Sequence, residues 1–231
     1  MKGIMQEHVF PKLLSKIGGE TVVVNKTIRT HGMGESFLAE IIKSWEDKLE
    51  INNIKLAYLP SPGIVKLRLS VIGLDKLILE RKLKETIDEL KALIPDQIYG
   101  YGNATMEGVV GKLLKERNLT IATAESCTGG SVAKMLTSIS GSSSYFNGAI
   151  VSYNNQSKVD LLNVDFKDID DHGAVSQQVV EQMAEGVRNK FHTDYGISTS
   201  GIAGPNGGTK EKPVGTVWIA VASKNRIVSK K

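Results

Sequence analysis

The sequence predicts an α/β chain in two parts: a layered α/β domain over residues 104–231, preceded by a small α+β domain over residues 18–94. Three observations carry this reading. Residues 104–231 alternate short apolar runs with amphipathic helical runs, the pattern of helices layered on a sheet. Residues 18–94 hold β-branched alternation around the turn Pro60-Ser61-Pro62-Gly63. Between them Pro95 and Gly100-Tyr101-Gly102-Asn103 read as a linker over 95–103.

At 231 residues the chain is long enough for two ordinary domains. It is 41% hydrophobic and 23% charged, the balance of a globular protein, and no apolar run reaches the length of a membrane span. The N-terminus lacks the apolar core of a signal peptide, so a cytoplasmic location is expected. A lone cysteine, Cys127, excludes an internal disulfide and fits a reducing compartment. The four histidines are scattered without ligand spacing, so a structural zinc site is not expected, and chemistry by an oxygen nucleophile would need neither metal nor cofactor. Net charge is +4, spread as +2 over residues 1–17, +1 over 18–94, −1 over 95–103 and +2 over 104–231. No part is a basic block, which argues against a nucleic-acid partner.

In chain order, residues 3–16 read as a short amphipathic helix interrupted by Pro11, an arm whose apolar face needs a partner. Residues 1–17 are therefore expected to be the residual arm of a preceding domain. Glu20 to Arg29 reads as a strand, Glu35 to Trp45 as a helix, and Lys55 to Leu59 with Val65 to Ile72 as a hairpin. Leu74 to Leu93 is a long charged helix, completing the order β-α-β-β-α. Further on, Met106 to Arg117 is a helix and Thr120 to Ala124 a strand that ends in a sharp corner at Ser126. A helix from Ser131 to Thr137, a strand from Ala149 to Tyr153 and a helix from Gln156 to Leu162 follow. Ser176 is the expected N-cap of a helix from Gln177 to Phe191. Strands from Tyr195 to Ser200 and Gly215 to Ala222 flank the glycine-rich loop Gly201–Gly208. Open sheet edges and the orphan arm leave room for a homo-oligomer.

Ligands in such sheets collect beyond the carboxyl ends of the strands, where Ser126, Tyr153 and Gly201 fall. A serine at such a corner is either a helix cap or a nucleophile. As a nucleophile it needs a base, and a desolvated Lys158 can serve if its strand lies beside that of Ser126. Tyr153 could orient the lysine amine. The amides around Thr128–Gly130 are candidate oxyanion donors. Cys127 is a rival nucleophile without a histidine partner, and reads better as a small buried residue. Ser131-Val-Ala-Lys134 matches a β-lactamase tetrapeptide, but the rest of that signature is missing. The Gly201–Gly208 loop is a candidate phosphate or oxyanion cradle.

Five ordered motifs then form a resemblance: Ala124-Glu-Ser-Cys-Thr-Gly-Gly130, Tyr153-Asn-Asn-Gln-Ser-Lys158, His172-Gly-Ala-Val-Ser176, Ser200-Gly-Ile-Ala-Gly-Pro-Asn-Gly-Gly208 and Lys212-Pro-Val-Gly-Thr-Val-Trp218. Together they resemble the C-terminal domain of the CinA (competence/damage-inducible protein) family, which is similar to the bacterial nicotinamide-nucleotide amidases. Residues 18–94, with Arg29-Thr-His-Gly-Met-Gly-Glu35 and Ala57-Tyr-Leu-Pro-Ser-Pro-Gly63, look like that family's KH-like middle segment. Residues 1–17 resemble the tail of a molybdopterin-binding-like domain. The pyrophosphatase activity described for that domain in some members is not assigned to this chain.

The resemblance implies a three-layer α/β/α domain with a mixed, mostly parallel sheet. It implies hydrolysis of the carboxamide of nicotinamide mononucleotide, a small-molecule substrate, to nicotinate mononucleotide and ammonia. Ser126 would be the nucleophile, Lys158 the general base and Tyr153 its supporting hydroxyl. Glu125, Thr128, Gly129, Gly130, Ser200, Gly201, Ile202, Ala203 and Gly204 would line the substrate site. The alternative is a non-catalytic nucleotide-binding or regulatory module. A KH module joins two helices by Gly-x-x-Gly, whereas Gly32-Met-Gly34 precedes a single helix, so the middle segment reads as a spacer. The family continues past the last strand with a further strand and an arginine-bearing helix. The sequence here ends at Ile227-Val-Ser-Lys-Lys231, so a truncated C-terminus is expected.

Overall fold

The computed structural model describes residues 4–17 and 21–231, with side chains of 14–17 outside the description. Gly3, Glu20 and the Leu14 side chain, used in the expectations above, lie outside the described residues. The chain separates into two compact units, Met1–Met106 and Glu107–Lys231.

In the first unit the arm is a π-helical turn, Met5–Val9, running into helix α1, Phe10–Ile17. Pro11 sits inside this unbroken helical run, where it removes one backbone donor. The turn ahead of it is wide, with Phe10 N–H reaching back to Met5 O.

Strand β1 (Val22–His31) is followed by helix α2 (Glu35–Ile51), the hairpin β2 (Lys55–Ser61) and β3 (Ile64–Gly73), and helix α3 (Lys76–Leu93). Pro62-Gly63 makes the hairpin turn, with Gly63 at φ +72°, the left-handed position such a turn requires. A further strand, β4 (Ile98–Tyr101), completes an antiparallel sheet ordered β2-β3-β1-β4. The 95–103 segment is thus more than a linker. Its Pro and Gly residues mark its ends, while the intervening Ile98–Tyr101 finds the free edge of β1, a non-local partner that local composition does not announce.

Alternation sets the core. Val24 and Ile28 of β1 and Val65, Leu67, Leu69 and Val71 of β3 face the helices, which return Leu38, Ile42, Trp45, Leu83 and Leu90. Trp45 Nε1 donates to Thr86 O at 2.9 Å, so its one polar atom is satisfied inside the core.

The second unit begins with α4 (Met106–Glu116), whose first residue belongs to the preceding unit. It continues with β5 (Ile121–Glu125), α5 (Ser131–Thr137), β6 (Phe146–Val151), α6 (Asn155–Leu162), α7 (Phe166–His172) and α8 (Gln177–Phe191). Strands β7 (Tyr195–Gly201), β8 (Val217–Ala222) and β9 (Ile227–Lys230) end it. Sequence reasoning omitted α7 and β9. Both are short, and β9 is apolar only at Ile227 and Val228.

The sheet is ordered β6-β5-β7-β8-β9. β5, β6 and β7 are parallel, β8 is antiparallel to β7, and β9 is antiparallel to β8. Only β8 therefore runs against the common direction, and the sheet is mixed and mostly parallel.

Each face of β5 has its own layer. Ile121 packs with Leu114 of α4, Leu136 of α5 and Tyr145. Ala122 and Ala124, on the opposite face, pack with Leu162, Ile169, Val179 and Met183 of α6, α7 and α8. Their small side chains let the helices come close. Among the described residues no helix is long and apolar enough to cross a membrane.

Candidate functional site

The parallel register carries the ends of β5, β6 and β7 to one edge. Ser126 N–H donates to Thr199 O at 3.0 Å and Ser152 N–H to Glu125 O at 2.8 Å, which extend the two ladders past the last strand residues. Period-two alternation then divides the labour at the corner. Glu125 points toward α5, with Ile121 and Thr123. Ser126 continues the side of Ala122 and Ala124, where α6 lies.

Glu125 is fully buried. Its Oε2 accepts from Gly130 N–H (2.9 Å), Val132 N–H (3.1 Å) and the Thr128 hydroxyl (2.7 Å), and its Oε1 accepts from Ala133 N–H (2.8 Å). A carboxylate there satisfies the orphan amides of α5 and favours the positive end of the helix. The cap that the sequence offered to Ser126 is therefore supplied by Glu125, and the Ser126 hydroxyl is released. Gly130, at φ +93°, gives the tight entry into α5.

Lys158 approaches from α6. It is 1% exposed, and its Nζ lies 3.3 Å from Ser126 Oγ and donates to Ser152 O at 2.8 Å. Asn154 caps α6 by accepting from Ser157 N–H at 2.7 Å, which fixes the helix start one turn before Lys158. Burial pushes the Lys158 amine below the ordinary lysine value. Ser152 Oγ is buried and has no partner among the described residues.

A cavity of about 310 Å³ opens over this pair. Ser126, Tyr153, Lys158, Gly201, Ile202, Ala203 and Gly204 line it, as the sequence placed them together. Tyr153 stands on the rim, 74% exposed, and makes no hydrogen bond among the described residues. The support expected of its hydroxyl comes instead from the Ser152 carbonyl.

Five expected lining residues stand elsewhere. Glu125 and Gly130 are spent on each other, Thr128 bonds Glu125 and Thr199, and Gly129 N–H donates to Ser126 O. Ser200 is buried and donates to Ala174 O at 2.7 Å. The anion hole expected from the Thr128–Gly130 amides is thus not made by Gly129 or Gly130.

Asn206 and Gly207 of the expected cradle loop also line it, and Asn155, Ala174 and Val175 enter without a role expected from the sequence. All lie inside the motifs that carried the resemblance, which was the available signal. Cys127 also lines the cavity. Burial pushes its thiol up, against the pull of its own amide, the Thr128 amide and Lys158, so it is held as a thiol. Ile202 N–H is taken by Thr216 O, whereas the Ala203 and Gly204 amides have no partner among the described residues. Among the described residues no group of three or more His, Cys, Asp or Glu could hold a metal ion.

Fold and site define a chain of two units, with a buried serine–lysine pair at the carboxyl edge of the α/β sheet. Residues 103–231 match the family model described as the CinA C-terminal domain, and residues 25–100 match the damage-inducible protein CinA KH domain. The chain belongs to the CinA family. It is 48% identical over 232 residues to a CinA-like protein of Flavobacterium psychrophilum, covering 100% of this chain and 55% of that one. It is 46% identical to a CinA-like protein of Cytophaga hutchinsonii with the same coverage. The chain thus spans about half the length of the curated relatives it matches.

Among solved structures it is similar to the competence/damage-inducible protein CihA of Agrobacterium tumefaciens, with TM-score 0.53 and 38% identity, covering 54% of this chain and 76% of that one. A competence-damaged protein (CinA) superfamily member from Escherichia coli gives TM-score 0.52 and 31% identity, covering 55% and 75%.

Proposed function

We propose that the second unit is an amidohydrolase that cleaves the carboxamide of nicotinamide mononucleotide, using Ser126 as nucleophile and Lys158 as general base. The observation that carries this reading is the buried Lys158 amine, 3.3 Å from Ser126 Oγ and anchored on Ser152 O. A surface lysine has no reason to be there. Burial favours the neutral amine, whose lone pair is what a base needs, while one N–H stays on the carbonyl.

In the proposed step Ser126 Oγ attacks the carboxamide carbon as its proton passes to Lys158 Nζ. The oxyanion that forms would be met by the Cys127 amide, which follows the nucleophile, and by the unpartnered Ala203 and Gly204 amides across the cavity. Collapse of the intermediate breaks the C–N bond, and the Lys158 ammonium returns the proton to the departing ammonia. Water, deprotonated by the same lysine, then releases the acid from Ser126. The Gly201–Gly207 loop offers backbone groups to the mononucleotide.

Ammonia release from nicotinamide mononucleotide tests the reading, comparing the chain with its Ser126→Ala form. Activity in the first and none in the second is expected; equal release from both would sink the assignment.

A second reading, a non-catalytic nucleotide-binding module, draws on the engaged Gly129 and Gly130 amides. It expects heat on titration with the mononucleotide but no ammonia.

A further inference from the structure

β1 uses one edge fully and the other only in part. β3 pairs with all ten residues, from Val22↔Gly73 to His31↔Ile64. On the other edge β4 reaches back only to Tyr101, opposite Ile28, where Gly102 N–H closes onto Thr27 O. Among the described residues no strand pairs with Val22–Lys26 on that edge. His31 N–H and Thr27 O both face the β4 side, so the backbone groups of odd-numbered residues turn that way. Val23 and Asn25 therefore present N–H and C=O groups there without a strand to take them.

A groove of about 760 Å³ lies between β1 and α3, and it meets β1 at Lys26 and Thr27, where the bare edge begins. The even-numbered residues of β1 face the helices, so Lys26 projects into it. Tyr101, directly across from Ile28, shares that side and closes one end. From α3 come Arg81, Lys84 and Lys91, spaced at i, i+3 and i+10 on one helical face. None of these four cations forms an ion pair among the described residues, and Glu80, also on the groove, is met by Lys76 at 3.9 Å.

We propose that it receives an extended acidic peptide, which adds to β1 in line with β4. About five residues at roughly 3.3 Å each would cover the bare edge. Their backbone would pair with Val23 and Asn25, and every second side chain would point into the groove, onto Lys26, Arg81, Lys84 and Lys91. Strand addition supplies affinity through the main chain and selectivity through alternate side chains. Four unpaired cations select carboxylates. A nucleic-acid strand would meet the cations but has no repeating N–H and C=O groups for the edge.

Fluorescence anisotropy on the whole 231-residue chain tests this with a labelled eight-residue peptide of alternating glutamate and valine. Saturable binding is expected. It should weaken at least tenfold when lysine replaces glutamate in the peptide, in the Arg81→Glu/Lys84→Glu double variant, and when alternate peptide amides are N-methylated. Both variant positions are exposed, and circular dichroism checks that the fold is kept. No binding overturns the proposal and leaves Lys26 as a guard of a free edge. Unchanged binding of the N-methylated peptide overturns strand addition, and tighter binding of a twelve-nucleotide oligo(dT) overturns the choice of a peptide.

Discussion

Lys158 Nζ and Ser126 Oγ stand 3.3 Å apart, on elements 32 residues distant in sequence, and both residues are buried. Among the described residues Lys158 hydrogen-bonds through its amine to the Ser126 hydroxyl and the Ser152 carbonyl. Replacing it by methionine keeps the volume and removes the base. For the proposed amidase, Lys158→Met should lower kcat by about 10²–10⁴-fold, the range a positioned base contributes, with a small change in KM. Steady-state ammonia release checks this. A loss under threefold would remove Lys158 from the chemistry.

The same amine sets a pH signature. Its folded-state value is lowered below the ordinary lysine range, and the unfolded chain keeps the ordinary value. Between the two, the unfolded state binds the proton and the folded state does not, so stability rises with pH across that window and is lost as pH falls through the folded value. Activity should rise over the lower part of the same window, because only the neutral amine accepts the Ser126 proton. The expected kcat/KM profile has an ascending limb below the ordinary lysine value, and urea melts show a stability slope that Lys158→Met flattens.

Much of this could be read from the residues. The three parallel strand ends, the hairpin at Pro62-Gly63 and the Ser176 cap follow from local signals: apolar runs closed by turn chemistry. What escaped was set by partners distant in the chain. β4 is a strand only because β1 has a free edge, and Gly100 and Gly102 hid it in a linker. The Glu125 role escaped for a similar reason. A glutamate ending a buried strand looks like a ligand contact until the amides of Gly130, Val132 and Ala133 are seen converging on it. The resemblance ties Tyr153 to Lys158, whereas the residue lies two positions beyond the end of β6 at Val151 and is exposed on the cavity rim.

Glu125 gives the next test. Gln has the same shape but one acceptor oxygen, so Glu125→Gln sets an NH₂ group against either the Gly130 and Val132 amides or the Ala133 amide. Leaving buried donors unpaired costs roughly 1–3 kcal/mol. Chemical denaturation of the second unit should show that loss. Stability equal to the parent would mean that α5 does not depend on the carboxylate.

Tyr153 tests the division of roles around Lys158. Its hydroxyl makes no hydrogen bond among the described residues, and the residue lines the cavity from an exposed position. Tyr153→Phe should leave kcat of the proposed reaction within about threefold, below the smallest usual contribution of a proton-transfer group. Tyr153→Ala should raise KM by opening the rim. A hundredfold fall in kcat with Phe would restore the hydroxyl to the proton path.

Gly186 bears on the site through the fold. A Cβ added there would lie 2.0 Å from Leu162 O and 2.8 Å from Leu162 C, backbone atoms that cannot swing aside. Leu162 ends α6, one turn after Lys158, and α8 can approach it that closely only without a side chain. Gly186→Ala must therefore push α6 and α8 apart, at about 1–3 kcal/mol for overpacking. The alanine gain in helix propensity, about 1 kcal/mol, works against this and is the smaller effect. The chain has two tryptophans, Trp45 in the first unit and Trp218 in the second, so a Trp45→Phe background reports the second unit alone. Its fluorescence midpoint in urea should fall for Gly186→Ala. Ammonia release should fall further than the folded fraction does, because the displaced helix carries the base.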